Sequence, residues 1–384
     1  MKKRLRELAL ASQTRMLVIG AVWLSLFLYA GRPLLVGAAA AGIAPVAAWA
    51  ALVILAAMPT LPLFFRGKSL AYSIGYTTLG VFSTLLVLVL AGDVVRLGYH
   101  LFRASFDPRL AGLTILAGAG TLSLIGFLQA RCPRTRNVDV VIDDLPEELE
   151  NYRIVQLSDV HVGPTIRRRF VQRLVEKTNS LRPDAIAITG DLVDGPLDEL
   201  REQVQPLRDL RTADGVFYVT GNHEYYWRAS DWCPALVSLG LTFLKNEHVV
   251  IERGAAKLVV AGVTDPVGRD THKQDVPKSL AGAPADAIKV LLSHRPQMAN
   301  AADAHGVHLQ LSGHTHGGQF FPFNLLIHKF QPIVAGLHRV GRTWLYVNRG
   351  TGYWGPPSRL AVGGELTVLR LTRHGGPHGG IGPR

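Results

Sequence analysis

The sequence is poor in the residues that build disulfide scaffolds or thiolate metal sites. It has two cysteines, Cys132 and Cys233, and they lack metal-ligand spacing. They read as unpaired thiols in a reducing setting. Acidic residues are nearly missing from the first third: residues 1–136 hold only Glu7, Asp93 and Asp107, against fourteen Lys and Arg. Eleven of the chain's +12 net charge therefore sits there, and residues 137–384 carry +1. A pI near 9.9 would ordinarily raise nucleic-acid binding. Here the excess flanks apolar segments and reads as membrane-topology charge, while the near-neutral remainder speaks against a nucleic-acid partner.

Four apolar stretches occupy that first third, roughly 16–31, 34–65, 70–95 and 110–130. A helix needs about 20 apolar residues to cross the hydrocarbon layer, so about four transmembrane helices are expected over 1–136. The first turn falls either at Arg32-Pro33 or nearer Gly42–Pro45. A signal peptide is the competing reading of the start, with basic Met1–Arg15, an apolar run, and Ala38-Ala39-Ala40 as a mock cleavage site. Three apolar segments would remain even then. Ionisable groups are scarce inside these stretches, Asp93 lying near an end. Transporters and proton relays place such groups mid-membrane, so an anchor, or a groove for a lipid-like substrate, fits better.

With the N-terminus inside, the inner flanks hold Lys2, Lys3, Arg4, Arg6, Arg15, Arg66, Lys68, Arg131, Arg134 and Arg136. The outer flanks hold Arg32, Arg96, Arg103 and Arg109. Ten against four favours this orientation, and four crossings return the chain to the cytoplasmic face.

From Asn137 the texture changes to short strands alternating with helices. Strands are expected at Val138–Ile142 (an edge), Arg153–Ser158, Ala185–Thr189 and Val216–Thr220. Helices are expected at Ile166–Ser180, around Leu197–Leu210 and near Asp231–Leu239. Beyond Leu241 the pattern turns strand-rich, with Leu258–Val263, Lys289–Ser293, Val307–Leu311, Trp344–Val347 and Glu365–Leu371. The expectation is an α/β layered domain over 137–372 built on a β-sheet core. A disordered Gly, Pro and His tail follows over 373–384.

Five segments follow apolar strands: Ser158-Asp159-Val160-His161, Gly190-Asp191, Gly221-Asn222-His223-Glu224, Ser293-His294 and Gly313-His314-Thr315-His316. Strand ends of open α/β sheets converge on one edge. Asp, Asn and His are N/O ligands suited to borderline divalent ions, and a two-metal site needs a bridging carboxylate with terminal ligands on each side. The glycines at 190, 221 and 313 would permit sharp turns that aim the next side chain. Each piece alone is commonplace, a loop, a cap or surface decoration. Their joint occurrence in this order has a chance probability under about one in a hundred.

These segments resemble the calcineurin-like metallophosphoesterase superfamily, with its pattern D-x-H, G-D, G-N-H-E, H and G-H-x-H, intact over about residues 150–370. Gly317-Gly318-Gln319 and the run Asn348–Arg359 resemble a membrane-associated bacterial branch. Gly364-Glu365 departs from an expected Pro-Glu. The resemblance implies a layered β-sandwich core flanked by helices and two divalent ions of Mn, Fe or Zn. Asp159, His161 and His316 would hold the first ion. Asn222, His294 and His314 would hold the second, with Asp191 between them. His223 would be a general acid at the leaving oxygen and not a ligand, and a bridging hydroxide would attack phosphorus in line. Glu224 would support the loop.

Arg295 would contact phosphate or serve structure, the second being commoner. Thr315 and Gln319 would orient ligands, and Tyr225, Tyr226 and Trp227 would pack or flank a pocket. Arg167-Arg168-Arg169 would meet lipid headgroups or simply be solvated. The implied partner is a phosphorylated substrate, lipid-linked in one reading, beside the bilayer itself. The rival is a membrane sensor or scaffold that binds a phosphorylated ligand without turnover.

Overall fold

A computed structural model describes residues 18–102, 107–268 and 272–373. The expectations for Met1–Arg15 and for the tail beyond Arg373 lie outside them. The chain divides into two compact units, Met1–Ile125 and Gly126–Arg384.

Pro45–Phe64, Ser69–Leu101 and Pro108–Arg131 are long and apolar enough to cross a bilayer. Val18–Ala30 and Arg32–Ala40 are bent by 41° and would make a fourth span if taken together. The bend lies at Arg32-Pro33, and the reversal comes later, at Ala41–Ala44. The physical reason is that Pro33 sits in the first turn of its helix, where a missing N–H costs no hydrogen bond. Pro45 opens the next helix in the same way. Phe27 stacks on Phe82 at 4.4 Å, with Trp23 tilted against both. Asp93 is paired: it accepts from the Tyr29 hydroxyl at 2.5 Å and from Arg32 Nη2 at 2.7 Å.

The second unit is built on two six-stranded sheets. The first runs β1 (Arg134–Val141), β12 (Glu365–Thr372), β2 (Arg153–Leu157), β3 (Ala185–Thr189), β4 (Val216–Val219), β5 (Thr242–Phe243). The second runs β10 (Gly336–Val340), β11 (Thr343–Val347), β9 (Leu309–Ser312), β8 (Ile288–Leu292), β7 (Ala256–Gly262), β6 (Glu247–Arg253). Side chains alternate between the two faces of a strand, and here both faces are covered. On β3, Ala185 and Ala187 face the core between the sheets. Ile186 and Ile188 face the helices at 168–180, 197–204 and 229–237. On β7, Leu258 and Val260 join the inter-sheet core while Val259 and Ala261 join the outer cluster under the 299–304 helix. This two-sided burial explains why the strands read as continuous apolar runs rather than alternating ones. The architecture is the layered α/β sandwich with flanking helices that the sequence pattern implied.

β1 occupies the edge expected for Val138–Ile142, but it begins at Arg134 and pairs in parallel with β12. β6 and β10 were not foreseen. Both are half-exposed edges of the second sheet, so their sequences carry little apolar signal. The helix expected to reach Leu210 is α-helical only to Val204 and continues as a 3₁₀ turn through Pro206. Proline inside a helix removes a backbone bond, and here it marks the switch. Arg373 is held by Glu150, which accepts its N–H at 2.9 Å.

Candidate metal centre

β2, β3 and β4 are mutually parallel, as are β8 and β9. The segments that follow these five strands meet at one end of the sandwich. Asp159 and His161 follow β2, Asp191 follows β3, Asn222 and His223 follow β4, His294 follows β8, and His314 and His316 follow β9. All eight residues named from the sequence are thereby brought together; six of them are buried, and His314 and His316 are partly so.

The nitrogens and oxygens crowd as two adjoining groups. In one, His161 Nε2 lies 3.0 Å from His316 Nε2, and His316 Nε2 lies 3.3 Å from Asp159 Oδ1. In the other, His294 Nε2 lies 3.2 Å from His314 Nδ1 and 3.3 Å from Asp191 Oδ2. Asp191 Oδ2 also stands 3.9 Å from His161 Nε2, so a single carboxylate oxygen faces both groups. Asp159–His161–His316 and Asp191–His294–His314 each bring their ligand atoms close enough to hold an ion, and His161–Asp194–His223 is a third such group among the described residues. Asn222 Oδ1 is buried without a hydrogen-bond partner, a cost that a cation at that point would remove. Facing imidazole lone pairs, carboxylate oxygens and an orphaned amide oxygen suit hard-to-borderline divalent ions.

Electrostatics point the same way. Burial pushes His161 down to about 4 and His314 down to about 3, and His316 falls well below its ordinary value. Neutral rings keep the lone pairs that a metal needs. Burial also works against charge on His294, but Asp191 outweighs it and raises that histidine to about 10. Burial works against charge on Asp191 too, but His294 overcomes it and holds the carboxyl well below the usual range. A cation would replace that proton. His294 Nδ1 faces the Thr189 carbonyl at 2.8 Å. A carbonyl only accepts, so Nδ1 carries the hydrogen and Nε2 is left free toward Asp191.

The backbone is bent to achieve this. Asp159, His161, Asp191, His314 and His316 all have φ between 49° and 72°, a left-handed region that non-glycine residues rarely adopt. Such strain persists where surrounding structure over-determines it and clusters at functional sites. The glycines act differently from the sequence expectation. Gly190 has a φ of 85° and serves the turn. Gly221 and Gly313 serve closeness instead, because a Cβ on Gly221 would collide with the Asp191 carboxylate and one on Gly313 with Ser158 and Asp159.

Glu224 accepts from the backbone N–H groups of Gly221 at 2.6 Å, Leu192 at 2.7 Å and Asp191 at 3.1 Å. It ties the Asp191 loop to the Asn222 loop. Arg295 is engaged by buried Asp265, Nε to Oδ2 at 2.8 Å, which is the structural alternative. Thr315 donates to the Val334 carbonyl, and Gln319 grips the Trp354 backbone in both directions, at 2.8 and 3.0 Å. Tyr225 is tied to Thr220 and His272. Tyr226 and Trp354 lie with ring centroids 5.2 and 5.8 Å from His223.

Residues 152–318 match the family model described as calcineurin-like phosphoesterase. A "Transmembrane protein with metallophosphoesterase domain" from Danio rerio is 36% identical over 320 residues, covering 78% of this chain and 73% of that one. An "Uncharacterized metallophosphoesterase" from Helicobacter pylori (strain J99) is 33% identical over 321 residues, covering 80% of this chain and 85% of that one. The chain belongs to the calcineurin-like metallophosphoesterases. A Bos taurus relative with the same name as the Danio rerio one is 39% identical over 265 residues, covering 65% of this chain and 60% of its own. This metallophosphoesterase is a metal-dependent phosphoester hydrolase and a multi-pass membrane protein.

Two residues of this metallophosphoesterase escaped individual notice in the sequence. Asp194 sits three positions past Asp191, and its Oδ1 lies 2.9 Å from His223 Nδ1. Its position in the loop after β3 was the available signal. Arg359 closes the Asn348–Arg359 run. It is fully buried, donates to the carbonyls of Gly352 and His316 at 2.8 and 2.9 Å, and places Nη2 3.0 Å from His316 Nδ1. The guanidinium thus clamps the His316 loop at its backbone and its ring.

Burial disfavours charge on His223, but the Asp194 carboxylate, with Asp191 behind it, outweighs burial and raises its pKa. Removing Asp194 leaves burial dominant, so the histidine loses its proton at lower pH. In Asp194→Asn, the alkaline limb of a kcat–pH profile is expected to move to lower pH, with kcat at neutrality down about tenfold. An unmoved alkaline limb would separate Asp194 from proton transfer.

Proposed function

We propose that this enzyme is a two-metal phosphoester hydrolase anchored in the membrane, acting on a lipid-linked phosphodiester or pyrophosphate. The observation that carries the reading is Asp191 Oδ2 facing both groups, 3.3 Å from His294 Nε2 and 3.9 Å from His161 Nε2. Asp159, His161 and His316 would hold one ion of Mn, Fe or Zn. Asn222, His294 and His314 would hold the other, with Asp191 shared. Such a pair supplies Lewis acidity toward the phosphoryl group and a nucleophilic water near neutral pH.

The chain's own groups do the rest. Glu224 holds the Asp191 and Asn222 loops in register. Asp194 accepts from His223 Nδ1, which leaves Nε2 as the proton-delivering atom toward the departing oxygen. The raised pKa of His223 favours the protonated ring that this role requires. The candidate spans support the amphiphilic substrate, because an enzyme held in the bilayer works where such substrates are concentrated.

The full chain in detergent, stripped with chelator, is expected to lose hydrolysis of bis-p-nitrophenyl phosphate and to recover it on addition of Mn. Binding of phosphate without turnover at any divalent metal would instead favour the sensor or scaffold. The flanking charge supports a cytoplasmic position for the catalytic unit. Alkaline phosphatase fused after Arg136 is accordingly expected to be inactive, and fused in the 96–109 loop to be active; the reverse pattern would invert the topology.

A further inference from the structure

Past Arg131, nine large hydrophobic side chains are exposed among the described residues, and seven of them gather in two places. Phe323, Leu325, Leu326 and Phe330, between 45% and 72% exposed, line the short helical segment that follows the metal loop. Tyr226, Trp227 and Trp354, between 37% and 60% exposed, stand around His223. The rest of the unit's surface is nearly free of such groups, Val237 and Val250 being the others.

Both places are tied to the loop that follows His316 at the metal centre. Gly318 packs against Asn324 and Ile327 so closely that no Cβ would fit. Asn324 donates its N–H to the Phe320 carbonyl at 3.1 Å. Gln319 carries Trp354 on its amide through both hydrogen bonds. A soluble protein seldom leaves clusters of aromatic and leucine side chains exposed beside a site unless they meet something apolar.

The charge of this stretch identifies what they meet. Between Asp303 and Glu365 the sequence has no carboxylate side chain, while Lys329, Arg339 and Arg342 are exposed there. Exposed Lys329 and His328 sit within the apolar segment itself. Aromatic and leucine side chains with an interspersed cation, on a segment free of acids from 304 to 364, complement the headgroup layer of an anionic bilayer; Asp194, beside Trp227, is engaged by His223 and Trp227. The spans of the same chain make a bilayer a constant neighbour of the enzyme.

We propose that the face formed by Phe323, Leu325, Leu326, Phe330, Tyr226 and Trp354 docks into the headgroup layer of an anionic lipid bilayer, so that the metal centre opens at phosphate depth. The substrate is then a phosphoester of an amphiphile that is hydrolysed without leaving the bilayer. The substrate clause rests on the phosphoesterase reading above. The docking face does not.

The test uses the full chain carrying Cys132→Ser, with Phe330→Cys or Leu325→Cys labelled by an environment-sensitive fluorophore; Cys233 is buried. Val250→Cys on the β6 edge serves as the reference. The protein is reconstituted into vesicles of phosphatidylethanolamine and phosphatidylglycerol at about 7:3 containing brominated acyl chains. Labels at 330 and 325 are expected to be quenched at least about threefold more than the label at 250, as for side chains seated in the headgroup–acyl boundary. Equal quenching at all three positions overturns the proposal, and cross-linking between copies through residue 330 would reassign the face to a second copy of the chain. Hydrolysis of bis-p-nitrophenyl phosphate is followed in the same vesicles without the quencher. Its absence alongside strong quenching would sink the phosphoesterase reading and leave the docking face standing.

Discussion

Asp191→Asn is expected to lower metal-dependent turnover by about 10³-fold or more, equivalent to about 4 kcal/mol of lost transition-state stabilisation. The geometry shows why so small a change has so large an effect. Asp191 Oδ1 accepts the His223 backbone N–H at 2.9 Å, and an asparagine carbonyl can keep that bond. The amide nitrogen must then occupy the place of Oδ2, which faces His294 and His161. A hydrogen-bond donor would thus stand where both groups need an acceptor, and the charge proposed to be shared between two cations would be gone. Because the loop stays tied through Glu224, the far-UV circular dichroism should be unchanged. Bound metal per chain, by atomic emission, should fall from two toward one or none. Retention of two ions with near-normal turnover would refute the shared role.

His223→Ala is expected to depend on the leaving group. For diesters whose leaving alkoxide needs a proton, kcat should fall by about 10²- to 10⁴-fold, the usual range for a positioned general acid. For p-nitrophenyl esters, whose leaving group departs unprotonated, the loss should be much smaller. Metal content should be unaltered, because His223 Nδ1 is turned toward Asp194 at 2.9 Å and Nε2 stands 4.0 Å from Asp191. Equal losses on both substrate types would point to positioning rather than proton donation.

Much of this enzyme is legible in one dimension, for identifiable reasons. The buried strands β2, β3, β4, β8 and β9 were visible because covering both faces demands unbroken apolar runs. The site segments were visible because each directly follows such a run. Edge strands β6 and β10 were invisible because half their side chains face water. The turn of the first two membrane helices was ambiguous because two Pro positions compete. Only packing shows that Pro33 sits harmlessly in a helix's first turn.

Asp194 and Arg359 mark the boundary most clearly. Neither has a distinctive local pattern, and each matters through a residue distant in sequence: Asp194 through His223, and Arg359 through His316. The reasons for Gly221 and Gly313 also lie across the site, in carboxylates contributed by other strands.

By itself, then, the sequence determined the apolar spans, the alternation of buried strands with helices, and the Asp, Asn and His residue types that close the strands. These depend on local composition and periodicity, which any stretch of chain carries within itself. Only the tertiary structure decided that one oxygen of Asp191 faces both histidine groups, that five site residues bend into the left-handed region, and that the exposed aromatics surround His223. Those are distances between loops brought together by two packed sheets, and no short window of sequence contains them.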